Sequence, residues 1–214
     1  MTEPASKASS KVGADNAGGD DPRSTVRRRD RGKDEAWVRA FLTDAPYGFL
    51  ATVGEDGQPY LNSNLFVYDE ARHCIYLHTH RTGRTRDNLA REPDAKVAFA
   101  VATMGRLLPA PEALEFSVEY GGVTVFGRGR VVADAGEARD ALQALLDKYA
   151  PHLRPGRDYR PTTDEELGRT AVYRIEIDTW SGKQKAVAPD FPGAYGLPPV
   201  PLPFGEQGSA VDPD

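Results

Sequence analysis

The sequence predicts a mainly β domain with peripheral helices, a small barrel carrying two or three helices on its outside. Three observations predict it. Between residues 48 and 80, short runs rich in Phe, Val, Ile and Tyr alternate with Asp/Gly or polar turns, which is the texture of an antiparallel meander. The run KVAFAVAT (96–103) is almost continuously apolar, as a central strand covered on both faces must be. Amphipathic helical spacing appears in only a few separate segments.

Each element follows from local chemistry. Residues 1–25 hold Gly, Ala, Ser and Asp without periodicity and predict a disordered N-terminal tail. Asp34 caps a helix whose apolar face is Trp37, Val38, Phe41 and Leu42 and which stops before Pro46. GFLATV (48–53) is a strand, Glu55-Asp56-Gly57 a turn, PYLNSNLFVYD (59–69) a second strand, and CIYLHT (74–79) a third. Thr82 to Glu92 fits a short helix halted by Pro93. VTVFGRGRVVAD (123–134) reads as a strand with a bend or bulge at Gly127 and Gly129. Glu137 to Tyr149 places Ala138, Leu142, Leu145 and Leu146 on one helical face. AVYRIEIDTW (171–180) alternates as a strand, ending at Trp180 before a Ser-Gly turn and two lysines. The domain is expected over 26–187, with a Pro/Gly-rich C-terminal tail over 188–214.

Composition excludes several classes. With 27 Lys+Arg against 32 Asp+Glu the net charge is −5, which argues against sequence-independent binding of nucleic acid. One cysteine, Cys74, rules out an intramolecular disulfide and is consistent with a reducing compartment. There is no apolar leader at the N-terminus and no run of membrane-spanning length, so a soluble cytoplasmic protein with no membrane partner is expected. The Arg27-Arg28-Arg29 cluster lacks interleaved aromatics and reads as an arm folding against the barrel or a partner subunit.

Three segments carry chemistry. The stretch LHTHRTGRTRDNLAREP (77–93) leaves a strand, turns at Thr82-Gly83 and opens a helix amid Arg81, Arg84 and Arg86. A helix start presents free N–H groups and a positive dipole end, Gly83 permits close approach, and Arg supplies bidentate donors: this is phosphate-binding chemistry without a Walker loop. The competing reading is a solvated basic helix with pairs such as Arg84 and Asp87. Cys74, His78 and His80 share strand parity and have zinc-compatible donors, but no second Cys/His cluster supplies a fourth ligand, so no metal is expected. Asn62, Ser63 and Asn64 interrupt an apolar strand, either as the polar face of an edge strand or to hydrogen-bond a polar ring system. In DTWSGKQKA (178–186), Trp180 could stack on a flat ligand with Lys183 or Lys185 reaching a phosphate; the alternative is a strand end with solvated lysines.

Taken in order, TVRRRDRG, GFLATVGEDGQPYLNSNLFVYD, IYLHTHRTGRTRDNL, EFSVEYGGVTVFGRGRVV and IDTWSGKQKA resemble the pyridoxamine 5'-phosphate oxidase-like flavoproteins, closest to the branch that includes nitroimidazole-resistance proteins, over residues 25–187. The resemblance implies a dimeric, FMN-binding split β-barrel, a homodimer with flavin at the subunit interface. Carried over by position, it places Asn62, Ser63, Asn64 and Leu65 along the isoalloxazine and His78 and Thr79 at its edge. Arg81, Gly83, Arg84 and Thr85 would surround the phosphate, and Ser117, Tyr120 and Lys183 would complete the site, several from the partner subunit. Two positions depart from the family: Thr85 stands where relatives often carry lysine, and His80 replaces a small residue. The substrate-binding Arg-x-His tail of true pyridoxamine phosphate oxidases has no counterpart in FPGAYGLPPVPLPFGEQG, so vitamin B6 oxidation is not expected.

The implied activity is that of an FMN-dependent oxidoreductase. It would move reducing equivalents from a reduced nicotinamide to a small acceptor such as a nitroaromatic, quinone or oxygen. His78 is the candidate proton donor, because its unperturbed pKa lies near neutrality. The alternative is a non-catalytic carrier of flavin, deazaflavin or haem, for which the available histidines are His73, His78, His80 and His152.

Overall fold

A computed structural model describes residues 21–92 and 94–197. The described chain divides into two compact units, one formed by residues 21–103 with 120–185 and the other by 104–119 with 186–197.

The first unit is the barrel. Its strands are β1 (Gly32–Lys33), β2 (Gly48–Val53), β3 (Pro59–Asn64), β4 (Phe66–Asp69) and β5 (Cys74–His80). The long strands β6 (Ala95–Leu108), β7 (Ser117–Val131) and β8 (Thr170–Lys185) follow, with 104–108 of β6 and 117–119 of β7 counted in the second unit. They lie in the order β3-β2-β6-β7-β8-β5-β4, with β1 paired to β8. The strands β3 and β4 end this path on opposite sides, yet only Leu65 separates them in the chain. A sheet whose two edges are joined by a single residue must curl until those edges meet, since one residue spans only about 3.5 Å. The result is a split β-barrel, mainly antiparallel, as the sequence predicts.

The interior is apolar and continuous. Leu50, Phe66, Leu77, Phe99, Val125, Tyr173 and Ile175 are all fully buried in one cluster. Helix α1 (Glu35–Asp44) starts where Asp34 accepts the amide of Trp37 at 2.9 Å, and it buries Val38 and Leu42 in the same cluster. Helix α2 (Arg84–Arg91) brings Leu89 into it. Helix α3 (Ala135–Tyr149), capped by Asp134, covers the outer side of β5 and β8 through Ala138 and Ala141 against Cys74, Tyr76 and Val172. The short α4 (Asp164–Gly168) opens with a capping box between Thr163 and Glu166.

A polar clamp fixes α3 to the barrel. Glu137 accepts from Tyr76 Oη at 2.8 Å and from Arg174 at 3.1 Å, with Arg130 at 3.5 Å. Glu137→Ala strands the Tyr76 hydroxyl and one arm of Arg174, both partly buried, and is expected to lower stability by about 2 kcal/mol in urea titration.

Several expectations are corrected. PYLNSNLFVYD is two strands broken at Leu65, so β3 does not form a hairpin with β4. The strand through Trp180 does not end there: Gly182 and Lys183 pair with Val123 and Gly122 on one side and with Lys33 and Gly32 on the other, so the supposed Ser-Gly turn is doubly paired strand. Trp180 is buried, edge-on to Tyr68 and His73 under Arg39, and has no face free for a ligand. The strand β6 runs beyond its expected end to Leu108, while β7 starts earlier than expected, at Ser117, and stops at Val131, short of residue 134. On α3, Leu146 is largely exposed and Ala141 takes its buried place. The bulge expected near Gly127 is present, as a register shift between Phe126 and Gly127 that leaves Asp178 of β8 unpaired.

At the ends, residues 1–20 and 198–214 lie outside the described residues. Asp21 caps a 3-10 turn, Pro22–Ser24, with Ser24 buried, so order begins earlier than residue 26. In the second unit Arg106 forms an ion pair with Glu119 at 2.8 Å and donates to the carbonyls of Val187, Ala188 and Pro189. Leu107 and Tyr195 exchange backbone hydrogen bonds, which gives residues 186–195 defined partners. No helix among the described residues is long and apolar enough to cross a membrane.

Candidate functional site

The start of α2 is the centre of the site. Gly83 is its N-cap residue with φ +141°, a backbone conformation that favours glycine. No side chain caps the helix, and nothing stands within 4 Å of where a Gly83 Cβ would be. The first-turn N–H groups therefore begin beside open space, at the positive end of the helix dipole.

Neighbouring residues hold this helix start against the β2–β3 hairpin. Asn62 Nδ2 donates to Thr85 Oγ1 at 3.2 Å, Asn88 Nδ2 to Thr52 Oγ1 at 2.9 Å, and Arg91 to the Val53 carbonyl at 3.0 Å. Thr85, Asn88 and Thr52 are all buried, so the helix is placed by satisfied polar contacts rather than by apolar packing alone. Arg84 lies 5.0 Å from the Tyr60 ring centroid and lines a cavity of about 490 Å³ with Gly54, Glu55, Asp56, Gln58 and Asn88. The competing pair of Arg84 with Asp87 is not formed: Asp87 meets Arg86 instead, at 3.7 Å.

Strand parity sorts the other predicted residues. Asn62 opposes the buried Leu50, while Ser63 opposes the exposed Phe49. Asn62 thus faces the α2 side and Ser63 the outside, where Ser63, Asn64 and Leu65 join Tyr47 and Phe49 around a shallow cavity of about 430 Å³. His78 and Thr79 also diverge. Thr79 Oγ1 is 2.7 Å from Tyr173 Oη on the interior side. His78 opposes Val172 on the outer side, and it lines a cavity of about 440 Å³ together with Thr79, His80, Glu166 and Arg169. Their side chains leave β5 on opposite faces, yet both His78 and Thr79 border this one cavity at the end of the strand.

His78 is exposed at its surface, and partial desolvation by its surroundings lowers its pKa from the ordinary imidazole value. His80 Nδ1 bonds Thr82 Oγ1 at 3.0 Å. Arg81 is directed to the Gly168 carbonyl at 3.1 Å rather than to the start of α2. Tyr120 and Lys183 come together, the ammonium 5.7 Å from the ring centroid, in a third cavity beside the N-terminal arm. Ser117 belongs to the second unit. The three residues of the zinc reading do not converge: Cys74 is buried under α3 with its thiol pushed up to about 11 by desolvation. Among the described residues no three His, Cys, Asp or Glu side chains group as metal ligands.

The sequence reading did not single out Tyr60, Thr52, Asn88 or Arg91. The signal for Asn88 was available: Thr85, Asn88 and Leu89 share a helical face, which makes the two polar residues as inward as the leucine.

Residues 34–184 match the family model described as pyridoxamine 5'-phosphate oxidase. The chain belongs to this family. Among solved structures it is similar to the flavocytochrome Anf3 from Azotobacter vinelandii, with 22% identity and TM-score 0.69 over 89% of this chain and 94% of that one. An FAD and heme binding protein from Mycobacterium smegmatis follows, with 24% identity and TM-score 0.66 over 86% and 94%. A putative 5-nitroimidazole antibiotic resistance protein from Bacteroides thetaiotaomicron has 19% identity and TM-score 0.58 over 71% and 84%. At these identities the likeness shows the family's fold. A search of curated proteins gave no match.

Proposed function

We propose that the chain is an FMN-binding oxidoreductase that works as a homodimer, with the flavin phosphate at the start of α2. The observation that carries this is the uncapped helix opening at Gly83, with Arg84 beside it and Thr85 fixed by Asn62. The helix opening fits a phosphate through free N–H groups, a glycine that leaves space, and Arg84, which forms no ion pair among the described residues although Glu55 and Asp56 line the same cavity. A bound flavin would supply hydride and electron-transfer chemistry between a reduced nicotinamide and a small acceptor such as a nitroaromatic, quinone or oxygen. Gly83, Arg84 and Thr85 would hold the phosphate, and Asn62 would keep Thr85 oriented. Asn62, Ser63, Asn64 and Leu65 would flank the ring with alternating side chains and the intervening backbone.

The dimer reading is supported by the outer face of β2 and β3, where Tyr47, Phe49, Val53, Leu61 and Leu65 are all exposed. Ala51 opposes Leu61 and Ala98, and Phe49 opposes Ala100, so the sheet there is apolar and low in relief. Such a face is what a second copy would cover. In this reading Tyr120 and Lys183 reach the flavin from the partner. His78, which lines a separate cavity with Thr79 and His80, would act as a hydrogen-bond partner or proton-transfer group for a ligand bound there.

The absorption spectrum of the purified protein tests the proposal. The absorption bands of an oxidised flavin, with FMN released on denaturation, are expected. A colourless protein that takes up no FMN overturns it. A second reading, haem binding, draws on the two similar proteins described as flavocytochrome and as FAD and heme binding, and on His78 and His80 sharing one cavity. A Soret band in the same spectrum would favour it.

A further inference from the structure

The N-terminal arm builds a cavity that the flavin phosphate does not require. After the 3-10 turns Pro22–Ser24 and Arg29–Arg31, the arm joins the barrel through β1, whose Gly32 and Lys33 pair with Lys183 and Gly182. Arg23 ties it further to Asp178 at 3.6 Å. Between arm and β7–β8 ladder lies a cavity of about 300 Å³ lined by Arg27, Arg28, Arg31, Lys183, Tyr120 and Ser181, among others.

Its charge is unbalanced. Asp30 takes Arg28 at 2.7 Å and Arg31 at 3.1 Å, and this one carboxylate serves both. Neither Arg27 nor Lys183 has a carboxylate partner among the described residues; Lys183 instead stands over the Tyr120 ring. Four cations therefore face one anion in a recess of a protein whose net charge is −5. Holding like charges together costs free energy unless an anion joins them. Arginines suit phosphate oxygens, Tyr120 offers a ring for stacking, and Ser181 and Thr124 add hydroxyl donors.

We propose that this cavity binds the adenosine diphosphate half of a dinucleotide. Two sources share that chemistry: FAD, whose adenylate portion FMN lacks, and a reduced nicotinamide dinucleotide serving as electron donor. Only the choice between them rests on the flavin reading above; recognition of the diphosphate stands on the arm alone.

Calorimetric titration of the full-length protein with ADP, FMN, FAD and NADH, repeated on Arg27→Ser/Arg28→Ser, tests it. The double variant is expected to lose at least about tenfold in ADP affinity, the equivalent of one charge-assisted contact, with FMN affinity unchanged. A parallel loss for FAD alone identifies the flavin as the source, and a loss for NADH alone identifies the donor. Single Arg27→Ser, at a position with no ion pair to disturb, gives the same reading if the double variant folds poorly. ADP binding that is absent, or equal in wild type and variant, overturns the proposal. If the wild type binds ADP through the arm but no flavin, the oxidoreductase reading fails and this one stands; FMN binding with arm-independent ADP binding gives the reverse.

Discussion

Gly127→Ala is expected to be the most destabilising single-methyl change in the barrel, costing about 3 kcal/mol or more. A Cβ at this position would stand 2.0 Å from the Glu176 carbonyl oxygen and 3.1 Å from its carbon. The obstruction is backbone, which cannot rotate away as a side chain can, so the cost lies at or above the top of the usual overpacking range of about 1–3 kcal/mol. The crowding arises from the bulge: Phe126 pairs with Thr179 and Gly127 with Ile177, and the extra residue, Asp178, lets β8 draw close at Glu176. Asp178 is itself held at 3.1 Å by Arg128. Restoring room for a methyl would break the β7–β8 ladder at the point where β8 turns from β5 toward β1, and would displace Lys183 with it. Urea denaturation followed by far-UV circular dichroism measures the loss. Gly168→Ala, with nothing within 4 Å of its Cβ position, is the control and should change stability by less than about 0.5 kcal/mol. Equal midpoints for the two variants would refute the account of the bulge.

That bulge was legible in the sequence, because two glycines two residues apart in a strand otherwise rich in valine have few other uses. The strand β2 and the capped start of α1 were legible for similar reasons: local hydrophobic period and a local capping side chain specify them. The break at Leu65 was not. Leucine carries no turn signal, and the chain changes sheet edge there because β3 and β4 find different partners, β2 and β5, which lie far apart in the strand order. The reading of Ser181-Gly182 as a turn failed in the opposite direction. These residues punctuate turns when left alone, but pairing on both sides holds them extended, and Gly182 suits a strand on which Val38 and Trp37 of α1 pack closely. In the candidate site, the phosphate-binding character of 81–86 was legible as composition. Its geometry was not: Arg81 turns to Gly168 while Arg84 stays at the cavity, a difference set by the backbone of the turn rather than by residue type.

Arg84→Glu is expected to weaken FMN binding by about 100-fold while leaving the flavin-free protein as stable as the wild type. The side chain is exposed, and its described contacts are the Tyr60 ring and the cavity, so replacing it removes little packing. Its effect on a bound phosphate is larger on two counts. A charge-assisted bidentate contact is lost, and a carboxylate is introduced beside the dianion at the same helix opening. Together these amount to about 2.7 kcal/mol, which is two decades in affinity. Arg84→Lys retains the charge but not the fork, and should lie between the two. Riboflavin separates the phosphate contribution from that of the ring: lacking the phosphate, it should bind Arg84→Glu and wild type alike. The FMN affinity of the wild type should also fall with added salt more steeply than that of the variant, because screening acts on the attraction the variant has lost. Fluorescence quenching titrations of FMN and riboflavin at two ionic strengths give all of these quantities. If wild type and Arg84→Glu bind FMN within about threefold of each other, with melting temperatures unchanged, the phosphate does not lie at the start of α2 and the oxidoreductase proposal loses the observation that carries it.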